Sequence, residues 1–160
     1  MRQWPAEQQI TALKYGAYTV LASCVMFGIG LLETILTDVT GKSYMLLSVA
    51  SGLSALTFLV IVARWSLKRS GHGDLRQILQ PYTEEFAQDL IRKASSITCF
   101  VVLMMLLFTH VLVKPIFLSK LDTSIQSVLS LSNFSLLLLL VAGVVWASTI
   151  LLNLREEAED

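Results

Sequence analysis

The sequence predicts an all-α integral membrane protein: four transmembrane helices in two hairpins, with a cytoplasmic amphipathic helical segment between helices 2 and 3. Three observations predict it. Hydrophobic residues make up 54% of the 160 residues and charged residues only 15%, whereas a soluble domain carries about 25% charge. The apolar residues fall into four runs, and the charges cluster between them. Each run has about 18 to 21 residues, and a helix rising about 1.5 Å per residue needs roughly 20 to cross a ~30 Å hydrocarbon core. Lipid offers the backbone no hydrogen-bond partner, so a helix, which satisfies its own N–H and C=O groups, is the form such runs take. The length is that of one domain, residues 1–160.

The first span is expected over residues 15–32. It is too long for a cleavable apolar segment and lacks a small-x-small end, so it is expected to stay in the mature chain. Glu33 and Asp38 are expected to mark its outer end and face water. The second span covers residues 44–67. It is rich in small residues: Ser48 with Gly52, Ala50 with Ser54, and Ser51 with Ala55 are pairs four apart, and Gly143 with Ala147 repeats the spacing in the fourth span. Such pairs let helix backbones approach closely where lipid supplies no hydrophobic drive. Ser48, Ser51, Gly52, Ala55, Gly143 and Ala147 are therefore the expected helix-packing or oligomer positions.

Residues 68–93 form the cytoplasmic segment. Ser70, Gly71, His72 and Gly73 read as a turn. Leu75, Ile78, Leu79, Tyr82, Phe86 and Leu90 then recur every three or four residues, one face of a helix. Pro81 interrupts that face, because proline lacks an N–H and clashes with the preceding turn. Thr83 is the expected N-cap of a helix running from 83 to 113, with Glu84 and Glu85 suited to its first turn. The apolar face has to be buried against the membrane, the chain's own bundle or a cytosolic partner; the third is the expected docking site. Lys68, Arg69, Arg92 and Lys93 flank it and favour anionic headgroups.

The third span covers residues 95–113 and ends at Pro115. An outer loop, 114–133, follows; part of it either lies at the interface or lengthens the fourth span, 134–154. The tail beyond Leu154 is acidic and expected to be solvated. Four crossings put both termini and segment 68–93 on one side. That side carries nine of the twelve Lys and Arg residues (Arg2, Lys14, Arg64, Lys68, Arg69, Arg76, Arg92, Lys93 and Arg155), against Lys42, Lys114 and Lys120 on the other. The excess places the termini in the cytoplasm.

The stretch Glu84-Glu85-Phe86-Ala87-Gln88-Asp89-Leu90-Ile91-Arg92-Lys93-Ala94, leading into a helical hairpin, resembles small multispan bacterial inner-membrane proteins of unknown function. Those carry an acidic pair, an aliphatic residue and a basic pair with alanine before two apolar helices. The resemblance covers Glu84 to Leu154; Phe86 stands where such proteins typically have arginine. It implies a bacterial inner-membrane location and brings no catalytic residues.

Little in the chain points to catalysis. His110 is the one histidine in a span, three residues from its outer end. A b-type haem needs two axial histidines, and the other, His72, falls in the cytoplasmic turn, so a structural or interfacial role is expected. Cys24 and Cys99 lie in apolar runs, with no zinc or disulfide pattern, and are expected to be buried and inert. No metal, cofactor or catalytic residue is expected. No Asp, Glu, Lys or Arg lies in the middle of a span, which argues against an ion-coupled carrier, and zero net charge gives no pull toward nucleic acid.

The expected function is a non-enzymatic sensor or scaffold subunit, oligomeric, coupling the inner membrane to a cytosolic protein. Membrane components of anti-phage defence and immunity proteins against pore-forming toxins share this size and layout, an analogy of architecture. The alternatives are a homo-oligomeric channel built on the second span and a membrane subunit of a redox complex.

Overall fold

A computed structural model describes residues 5–67, 84–112 and 130–159. Those residues form four helices and no strand: α1 (Ala6–Thr40), α2 (Met45–Leu67), α3 (Glu85–Leu112) and α4 (Leu131–Glu159). All four are long and apolar enough to cross a membrane, as a multi-pass membrane protein requires. Leu46, Leu53, Phe100 and Phe108 are among the large side chains on the outside, an exposure that water penalises and a lipid surrounding would not.

The helix ends differ from the expected span limits, for a physical reason. Hydropathy marks what lies in hydrocarbon, whereas helix ends are set by caps and breakers. α1 has 35 residues, about 52 Å at ~1.5 Å per residue. It runs through Glu33 and Asp38, because no glycine or proline lies between Glu33 and Gly41. Gly41 then takes a left-handed conformation at φ 65°, and its N–H donates to the Thr37 carbonyl at 2.8 Å. This is a glycine C-cap, which only a residue without Cβ adopts at no cost. Residues 42–44 complete a tight turn, and the Tyr44 carbonyl accepts the Leu47 and Ser48 N–H groups as α2 begins.

Segment 85–112 is one uninterrupted helix, as the continuous 83–113 reading expects. Its cap is Glu84, whose carboxylate accepts the Ala87 N–H at 2.8 Å. Thr83, the expected cap, and Pro81, the expected break, lie outside the described residues. α4 starts earlier than residue 134, because Ser130 receives the Phe134 N–H on its carbonyl at 2.8 Å and the Asn133 N–H on its hydroxyl. It also continues through the acidic tail to Glu159.

The expected four-helix bundle is packed unevenly. α1 packs against α2 on one side and α4 on another, and α4 packs against α3, while α1 and α3 meet only sparsely. In space the order is α2, α1, α4, α3. The core lies where the first halves of α1 and α3 meet the last half of α4. Leu13, Ala17, Leu90, Ala94, Ala147 and Ile150 form it, with Phe86, Ile91, Trp146 and Leu154 against its edge. The three alanines have no exposed surface, so the backbones can close on one another there. α2 adds nothing to this core, and none of its described side chains is buried.

Candidate functional site

Two features stand out: a groove between helices and a polar latch beneath it. Beyond the shared core α1 and α3 part, leaving a groove of about 660 Å³ floored by α4. Val20, Ser23, Cys24 and Phe27 line it from α1, and Ser95, Thr98, Cys99 and Val102 from α3; Leu139, Leu140, Ala142, Gly143 and Trp146 make the floor. The α1 residues recur at three and four, the spacing of one helix face, and continue the stripe of Leu13 and Ala17.

α1 lies close over the floor. A Cβ at Gly143 would stand 2.5 Å from the Cys24 Sγ and 3.2 Å from the Val20 Cγ1. The Cys24 thiol is 3.7 Å from the Leu140 carbonyl, a weak sulfur hydrogen bond. The hydroxyls on the walls are mostly spoken for. Ser23 donates to the Val20 carbonyl at 2.7 Å and Thr98 to the Ala94 carbonyl at 2.8 Å, the back-bonding that removes a hydroxyl's need for an outside partner. The groove's chemistry is therefore chiefly apolar, with two thiols and, among the described residues, no carboxylate, amine or imidazole in its walls. The expectation of buried cysteines changes accordingly: Cys24 is half-buried, Cys99 is exposed, and both line one groove. Their meeting was not visible beforehand, since nothing in the sequence says which helices are neighbours.

At the terminal end Gln9 is 1% exposed, and its Oε1 accepts the Glu84 N–H at 3.2 Å. The start of α3 is thus tied to the first turn of α1. A glutamine near a chain end, next to a second one at Gln8, reads as solvated, so no residue pattern signals this contact. Nearby, Lys93 donates from Nζ to Asn153 Oδ1 at 2.7 Å, and Asn153 donates from Nδ2 to the Thr149 carbonyl.

The expected docking face divides. Leu75, Ile78, Leu79 and Tyr82 lie outside the described residues. Leu90 is 4% exposed inside the three-helix core, with Phe86 packed against it, so this end of the apolar stripe is covered by the chain itself. The small-residue positions divide too. Gly143 and Ala147 face inward, the first against α1 and the second within the core. Ser51 and Ala55 are half-buried, and Ser48 donates to the Glu33 carboxylate, joining α2 to α1. Gly52 faces open space. At the far end His110 is exposed beside a second hollow of about 490 Å³, lined with Leu103, Leu106, Leu107, Thr109 and Phe134.

The chain matches no protein-family model, and comparison with curated proteins and with solved structures returned no match.

Proposed function

We propose that this chain is a non-enzymatic membrane sensor or scaffold subunit, set in a bacterial inner membrane with its termini in the cytoplasm, that docks a cytosolic protein on residues 68–83. The observation that carries the reading is the latch between Gln9 and Glu84. Glu84 follows directly on the docking segment and caps α3. A displacement of the segment therefore pulls on a half-buried hydrogen bond and on Leu90, whose neighbours belong to α1 and α4. Close-packed contacts transmit such a displacement rather than absorb it. Self-assembly in the membrane uses the outward side of α2, the one helix without a buried described side chain, where Gly52 leaves room for close approach. Anti-phage defence and toxin immunity are the processes that this reading fits.

The test removes Leu75 to Tyr82 and keeps Phe86 and Leu90 for the core. The shortened protein is expected to insert at the normal level, to lose its cytosolic partner in mild-detergent purification followed by mass spectrometry, and to lose its activity in the host. Retention of both partner and activity would sink the docking reading.

A further inference from the structure

The three core helices close on one another at the terminal end and part beyond it, so the chain does not fill its own groove. We propose that the groove holds one acyl chain of an anionic phospholipid from the surrounding bilayer, with the lipid phosphate against Arg92. This goes beyond the docking reading and does not depend on it.

The occupant's two ends follow from two sets of residues. Ser23 and Thr98 spend their hydroxyls on their own helix, so a hydrocarbon chain leaves no wall hydroxyl of theirs unsatisfied. Phe27, Val102 and Trp146 offer it apolar surface. A volume of about 660 Å³ sits within the roughly 300–1,000 Å³ of pockets that enclose small molecules. A cation stands one helical turn before the lining residue Ser95. Arg92 is exposed and has no ion pair or hydrogen bond among the described residues. Ser95 stands three residues further along α3, where helix neighbours meet; it lines the groove, and its hydroxyl also has no partner among the described residues. A phosphodiester supplies what both lack: a negative charge for the guanidinium, whose fork suits phosphate, and an acceptor for the hydroxyl. A zwitterionic lipid brings the same phosphodiester with an ammonium of its own, whereas an anionic lipid leaves the whole phosphate charge to Arg92.

Trp146, in the floor, reports on the occupant directly. The full chain carrying Trp4→Phe and Trp65→Phe keeps Trp146 as its single tryptophan. It is reconstituted in phosphatidylcholine vesicles with an equal mole fraction of brominated phosphatidylglycerol or brominated phosphatidylcholine. The expected result is quenching of Trp146 at about fivefold lower brominated phosphatidylglycerol, the preference that one basic side chain gives near a membrane surface. Arg92→Gln should level the two lipids, and Arg92→Lys should keep the order. Cys99→Phe, which fills the groove, should abolish quenching by both, with helical content by circular dichroism unchanged throughout. Equal quenching in the unaltered groove would reduce the occupant to ordinary surrounding lipid and overturn the proposal. No quenching by either lipid would mean that protein closes the groove, and would overturn it equally.

Discussion

The same three helices behave differently at their two ends. At the terminal end α1, α3 and α4 close around Ala17, Ala94 and Ala147, each fully buried. Further along, Phe27, Cys99, Val102 and Leu139 line a groove, and Phe27, Cys99 and Leu139 are exposed. Three alanines at the facing positions mark the closed end. Alanine lets two backbones approach without a hydrophobic drive, which lipid does not provide; in the groove α1 stays close to α4 at Gly143 while α3 parts from α1. One end is thus a clamp and the other an opening. α2, which joins neither, packs chiefly against α1 among the described residues.

The clamp can be broken at its centre. Ala147→Leu inserts three carbons where no surface is exposed, and overpacking of this kind costs about 1–3 kcal/mol. The loss is expected as a lower midpoint in thermal or detergent unfolding. Gly52→Leu on α2 is the matched control, because a Cβ there meets nothing within 4 Å; it should leave the midpoint of the monomer unchanged. Equal destabilisation by the two would mean that α2 is as tightly packed as the clamp.

The boundary between clamp and groove is set by Gly143. Gly143→Ala places a Cβ against the Cys24 thiol, and either the sulfur turns away or α1 moves off the floor. Destabilisation of about 1 kcal/mol is expected, with Cys24→Ala restoring most of it in the double variant. A coupling within the roughly 0.5–3 kcal/mol usual for touching pairs would confirm the contact. Strictly additive effects would show that the close approach does not limit packing.

How much of this could be read beforehand depends on what each signal measures. The four helices were legible, because an apolar run of sufficient length has one solution in lipid. Their ends were not, since Gly41, Glu84 and Ser130 decide them by local hydrogen bonds that hydropathy does not see. The apolar periodicity at Phe86 and Leu90 was correctly a buried face, but periodicity does not say what does the burying. Here α1 and α4 do it, through contacts more than fifty residues away in sequence. The groove was illegible for the same reason: it exists only because α1 and α3 share α4 as a neighbour and part from each other. Gln9 shows the limit most sharply, as a polar residue whose burial depends wholly on where α3 begins.

The smallest expected effect separates two explanations of the clamp. Lys93 and Asn153 join α3 to α4 at the terminal end with a 2.7 Å hydrogen bond, but Lys93 is exposed, so water competes for both groups. Lys93→Ala should therefore cost under about 1 kcal/mol, well below Ala147→Leu in the same unfolding measurement. A loss as large as the alanine variant's would mean that polar cross-links, and not close apposition of small residues, hold the helices together, and lengthening α3 or α4 by a turn of matched polar residues would then tighten the groove as well. A small loss leaves the alanines as the cause. The width of the groove should then follow the volume of residues 94 and 147, and be indifferent to the charges around them.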